Sequence, residues 1–255
     1  MTGEPALRIF ADPDATSRAA AQAIALALRE AIEERGRADW ATTGGSTPVG
    51  IYRALASPPL ADLVPWAGVH VWWGDDRYVP RDDVLSNVRA FDEELRPHVP
   101  LGDENVHEIG MDVAIASGAG PEGAAAAYEE ALRAAGLPVA DDGSPVLDIV
   151  LAGIGGDGHV LSAFPGSSLF DTAAWVSAVP APSHIEPHVA RVSLHPRILQ
   201  AAALPMVVAH GAGKAAILAR VLGPEHDVRR WPVQVARFAG AVWYLDTAAA
   251  ASLPG

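Results

Sequence analysis

What most narrows the fold of this chain is an alternation kept up along nearly its whole length, short apolar runs of β type followed by helical patterns. Residues 7–11, 40–43, 69–73, 106–109, 146–152, 175–179, 191–195, 205–210 and 241–246 read as strands. Residues 14–35, a stretch ending near 56, and residues 85–95, 121–135 and 213–222 read as helices. Parallel strands need a long crossover, usually a helix, so this order predicts an α/β fold with a mostly parallel sheet flanked by helices. The run Val146, Leu147, Asp148, Ile149, Val150, Leu151, Ala152 has the apolar character of a strand buried on both faces, and a central place is expected for it. The turn-rich stretch 137–145 is too short to separate two domains and no internal repeat is present, so one domain over 1–255 is expected.

Charge removes whole classes of partner. The chain carries 18 basic and 31 acidic residues, a formal net charge of −13, which argues against nucleic acid or an anionic membrane, since both are recognised through basic surfaces. No apolar run approaches the roughly 18 residues that would span a bilayer, and the first residues lack the pattern of a signal peptide. Cysteine is absent, which excludes disulfides and thiolate chemistry and agrees with a reducing compartment. A cytoplasmic protein is expected.

The polar residues worth naming sit where strands end, the place where open parallel sheets collect ligands. After 40–43 come Gly44, Gly45, Ser46, Thr47 and Pro48, small residues that allow close backbone approach ahead of a helix N-terminus. Ser46 or Thr47 suits an N-cap there, and the turn serves either as an ordinary capped connection or as an anion site. After 69–73 come Gly74, Asp75, Asp76 and Arg77, followed by Asp82, Asp83 and Asn87, so Arg77 either pairs with its acidic neighbours or meets an anionic ligand. After 146–152 come Gly153, Ile154, Gly155, Gly156, Asp157, Gly158 and His159. Extended backbone there puts Asp157 and His159 on one side, where a carboxylate orients an imidazole for general-base work near neutral pH. After 205–210 come Gly211, Ala212, Gly213 and Lys214, the only lysine beside 17 arginines. A compact point charge retained at a strand end fits a phosphate. Ser162 and Ser167 lack the GxSxG elbow of a nucleophilic serine. No metal is expected, because Pro187 stands between His184 and His188 and no HExxH occurs.

Taken in order, TGGSTPVGIYRAL, WWGDDRYVPRDDVLSN, LDIVLAGIGGDGHVLSAFPG, ARVSLHPRIL, AHGAGKAAIL and AVWYLDTAAA resemble the superfamily that joins 6-phosphogluconolactonases and glucosamine-6-phosphate deaminases, and lie nearer its lactonase branch. The resemblance implies a Rossmann-like fold and hydrolysis of 6-phosphogluconolactone to 6-phosphogluconate in the oxidative pentose phosphate pathway, with no cofactor. It implies that His159 activates water, with Asp157 orienting it. Gly44, Gly45, Ser46 and Thr47, with Arg77 and Lys214, would hold the phosphate or orient the lactone, and Asp75, Asn87 and Arg191 would stand nearby. The partner so implied is a small phosphorylated sugar lactone, met by a monomer or small homo-oligomer. The sequence departs from the lactonase pattern in having Asp76 where D-E-R has glutamate, and in Val160-Leu161-Ser162-Ala163-Phe164 after His159. The alternatives are a deaminase, whose branch carries a glutamate where this chain has Phe164, and a sugar-phosphate-binding protein without catalysis.

Overall fold

Asp12 separates the first strand from the first helix: its carboxylate accepts the Ala15 N–H at 2.7 Å, and Pro13 takes the first helical position. The helix runs Pro13–Arg35 and stops at Gly36, whose φ of 74° favours glycine. Its buried stripe of Ala20, Ile24, Leu28 and Ala31 recurs at helical spacing.

The structure is a computed structural model in which residues 3–253 are described, so residues 1, 2, 254 and 255 of the expected unit lie outside the described residues. The strands are β1 (Ala6–Phe10), β2 (Ala38–Thr42), β3 (Val69–Trp73), β4 (Asp75–Arg77), β5 (Val106–His107), β6 (Ile149–Ala152), β7 (Val176–Val179), β8 (Arg191–Leu194), β9 (Leu204–Ala209) and β10 (Val242–Asp246). The helices are α1 (Pro13–Arg35), α2 (Thr47–Leu55), α3 (Leu60–Leu63), α4 (Arg89–Glu94), α5 (Met111–Ser117), α6 (Gly120–Ala134), α7 (Ile198–Ala201) and α8 (Ala215–Val221). Seven strands form one sheet in the order β1-β10-β9-β6-β2-β3-β5, every neighbouring pair parallel. β6 is its middle strand and is buried throughout, which matches the continuous apolar run. It is shorter than expected: at Asp148 the carboxylate accepts the Asp39 N–H at 2.8 Å in place of a backbone carbonyl, while the Asp148 N–H still donates to the Asp39 C=O at 2.9 Å. Trp40, Trp72, Trp73 and Trp243 are fully buried around the sheet, and the indole N–H groups of Trp72 and Trp243 donate at 2.8 Å to Asp39 Oδ1 and to the Ala236 C=O.

Three strands depart from the expected single sheet. β4, β8 and β7 form a separate antiparallel sheet. No helix lies between β7 and β8, so they lack the crossover a parallel pair needs. Asp75, Asp76 and Arg77, read from the sequence as loop, form the edge strand of that sheet, placed by Gly74, whose C=O accepts the Leu194 N–H at 2.8 Å. Among the described residues no helix is long and apolar enough to cross a membrane.

Candidate active site

The turn after β6 is tighter than the extended backbone expected from its sequence. Gly158 takes φ 87°, and the chain folds back so that Asp157 Oδ1 accepts both the His159 N–H, at 3.0 Å, and His159 Nδ1, at 2.6 Å. The same carboxylate fixes the ring and the backbone that carries it. Gly155 is required by contact: a Cβ there would lie 2.0 Å from His159 Nδ1.

His159 lines a cleft of about 270 Å³ that also draws in Gly44, Gly45, Ser46 and Thr47 from the turn after β2. In that turn Ser46 is helical and makes no side-chain cap, Thr47 is the first residue of α2, and Pro48 follows it. The expected N-cap hydrogen bond is therefore not made, and the leading N–H groups of α2 lack that side-chain acceptor at the cleft wall. Gly44 lies against Asn87, whose Oδ1 would sit 1.8 Å from a Cβ at that position. Asn87 Nδ2 donates to the Asp75 C=O at 2.8 Å, while Oδ1 is buried with no hydrogen-bond partner.

β4 and β8 bring Arg77 and Arg191 into direct register, so two guanidinium side chains leave one face of the small sheet together. Among the described residues neither forms an ion pair: Arg77 Nη1 donates to the Leu85 C=O at 2.7 Å and Arg191 Nη2 to the Pro187 C=O at 3.1 Å. The salt-bridged reading of Arg77 gives way because Asp75 and Asp76 turn elsewhere. Asp75 Oδ2 accepts from Ser162 Oγ at 2.6 Å, and Asp76 Oδ1 accepts the N–H groups of Arg77 and Asn87, both at 2.7 Å. Lys214 reaches the same cleft from the turn after β9, and its Nζ donates to the Ile154 C=O at 2.5 Å.

Burial lowers the pKa of Lys214, against the pull of Asp157, and lowers that of Arg191, against the pull of Asp75. Burial alone would raise Asp157, but the hydrogen bonds and charge of His159 and the hydrogen bond of His184 outweigh it and hold the carboxyl well below the usual range. Asp76 goes the other way, pushed up to about 7 by burial that its backbone N–H partners only partly offset.

Gly44, Gly45, Ser46, Thr47, Asp75, Arg77, Asn87, His159, Arg191 and Lys214 thus line one cleft, with Asp157 behind His159. Residues 11–244 match the family model described as glucosamine-6-phosphate isomerases/6-phosphogluconolactonase. The chain belongs to that family. It is 32% identical to the 6-phosphogluconolactonase of Streptomyces coelicolor over 263 aligned residues, covering 100% of this chain and 97% of that one. It is 31% identical to the 6-phosphogluconolactonase of Mycobacterium tuberculosis, covering 97% and 98%. The solved 6-phosphogluconolactonase of Trypanosoma brucei superposes with a TM-score of 0.86 at 28% identity, covering 98% of this chain and 99% of that one.

Within this family framework the departures noted in the sequence acquire places. Leu161 lines the cleft with φ 53°, and its side chain fills the space that a Cβ at Gly74 would need. Phe164 packs on His159 with ring centroids 4.8 Å apart, and the Arg191 guanidinium lies 5.0 Å from its centroid. Sequence reasoning passed over two contacts. Ser162, set aside as a nucleophile, is fully buried and donates to Asp75, 87 positions away. His184, weighed only as a metal ligand, places Nε2 2.8 Å from Asp157 Oδ2, while His188 Nδ1 lies 2.7 Å from the Pro182 C=O. Among the described residues no three His, Cys, Asp or Glu side chains group as a metal site. No local pattern signals the Ser162 contact, and only the polar character of 183–188 marks that loop.

Proposed function

We propose that this chain hydrolyses 6-phospho-D-glucono-1,5-lactone to 6-phospho-D-gluconate, with His159 as the base that activates water. The observation that carries the reading is the pairing of an Asp157-bound imidazole with three cationic side chains, Arg77, Arg191 and Lys214, in one cleft. Because Nδ1 faces Asp157, Nε2 is the ring nitrogen left for water. The phosphate is assigned to the turn 44–47 and Lys214, where N–H groups at the start of α2 and a point charge meet. Binding there, remote from the reacting bond, brings the ester carbonyl to His159. His159 takes a proton from water as the oxygen attacks the carbonyl carbon. Arg77 meets the developing oxyanion. The tetrahedral intermediate expels the ring oxygen, which takes the proton back from the imidazolium.

Phe164 favours hydrolysis over deamination, because an apolar ring packs on His159 where a deaminase would extend its proton relay with a glutamate. The reading keeps a cytoplasmic enzyme, a monomer or small homo-oligomer acting on a small phosphorylated lactone and not on nucleic acid, supported by the net charge of −13 and the absence of cysteine.

The test is a pH-stat assay on freshly made lactone, with spontaneous hydrolysis subtracted, beside an ammonia-release assay on glucosamine 6-phosphate. His159→Ala is expected to lower kcat by about 10²- to 10⁴-fold without ammonia release by either protein. Turnover unchanged in the variant would remove His159 as the base, and ammonia release by the wild type would replace the lactonase reading with the deaminase one.

A further inference from the structure

Asp157 is held at both oxygens. Oδ1 receives the backbone N–H and Nδ1 of His159, and Oδ2 receives Nε2 of His184 from a loop 27 positions further along the chain. Phe164 packs against both rings, with centroids 4.8 Å from His159 and 5.7 Å from His184, so the imidazoles and the carboxylate share one apolar wall. A carboxylate engaged only through Oδ1 is free to rotate and exchange oxygens; a donor on Oδ2 removes that freedom.

We propose that His184 is a positioning residue for the Asp157–His159 pair, fixing the carboxylate from its far side. This rests on the reading of His159 as the base. The side chain of His184 is 47% exposed and meets water, whereas those of Asp157 and His159 are 18% and 23% exposed. Neutral His184 with its proton on Nε2 orients Asp157. Protonated His184 also opposes a second positive charge on the same carboxylate, so it disfavours the His159 imidazolium and carries the free-base form of His159 to lower pH. The other charged and titratable groups facing this cluster are Lys214 from the turn after β9, Asp75 and Arg77 on β4, Arg191 on β8, and Glu186 and His188 on the loop of His184 itself. None of these bonds directly to Asp157, which is held by His159 and His184.

The experiment compares kcat, KM and the pH profile of kcat/KM for the wild type, His184→Ala and His184→Gln, with His159→Ala as control, and follows the His159 ring by NMR titration in the free protein. His184→Ala is expected to lower kcat about 3- to 10-fold with KM within about 2-fold. His184→Gln, which keeps an N–H donor without the charge, recovers most of that loss. In both variants the acid limb and the His159 ring signal move to higher pH. An unchanged kcat and an unmoved His159 titration in His184→Ala overturn the proposal. A raised KM at unchanged kcat also overturns it, because His184 would then contact substrate. If His159→Ala keeps its turnover, the base assignment fails by itself, and the NMR titration still decides whether His184 governs the Asp157–His159 pair.

Discussion

Two pairs of histidines in this molecule show how a carboxylate partner and burial fit imidazoles for opposite tasks. In the cleft, His159 and His184 approach opposite oxygens of one carboxylate. At the far edge of the main sheet, His70 on β3 and His107 on β5 approach each other, Nδ1 to Nε2 at 2.9 Å, with no carboxylate between them. His107 also stacks on Trp72 with centroids 4.0 Å apart. Two rings joined in this way cannot both carry a proton on the shared side. Burial lowers both, His107 to about 4, with His70 adding to the shift. The edge pair is thereby built to stay neutral and pack. Asp157 has the opposite effect in the cleft, where a carboxylate kept ionised supports whatever positive charge His159 acquires.

The comparison breaks most visibly at Asp157. Asp157→Asn keeps an acceptor for the ring but removes the charge, and is expected to lower kcat about 10²-fold at pH 7. The matching change in the other pair, His107→Phe, keeps the stack on Trp72 and should leave kcat within about 2-fold. Equal losses in the two variants would show that the pairs differ only in place.

A smaller effect is expected in stability. The pKa of His107 is depressed from 6.5 to about 4 by folding, so between those values the unfolded chain binds more protons. Stability from this group is present above pH 6.5 and is lost as pH falls towards 4. His107→Phe should flatten the acid side of a plot of unfolding free energy against pH by up to about 1.4 kcal/mol per pH unit. An unchanged slope would show that the edge pair titrates like free histidine.

Asp76 sharpens the contrast from the acidic side. Its partners are neutral N–H groups and Ser86 Oγ, and its pKa rises from 3.8 to about 7. Here the folded chain binds the extra proton, so stability from Asp76 is present below pH 3.8 and is lost as pH rises towards 7. Asp76→Asn keeps an acceptor for the Arg77 and Asn87 N–H groups. It should raise Tm at pH 8 while changing kcat less than about 3-fold. A lower Tm at pH 8 would mean that the ionised carboxylate is the form the loop needs.

The site was legible wherever its chemistry was local. Asp157 and His159 are two positions apart, and glycine spacing marked their turn even though its backbone is folded back instead of extended. The turns carrying Gly44 and Lys214 announced themselves by small residues after apolar runs. The alliance of Asp75 with Ser162 was not legible, nor that of Asp157 with His184, since neither partner bears any local sign of the other.

By itself the sequence determined the alternation of strands and helices, the buried middle strand, and the strand ends that bear the charged residues. Hydrophobic period and backbone preference are properties of neighbouring residues and need no knowledge of the rest of the chain. Only the tertiary structure decided that β4, β8 and β7 leave the main sheet and set Arg77 beside Arg191, and that His184 closes on Asp157. Those outcomes depend on which distant segments lie side by side, and that is settled by the packing of the whole chain around its core.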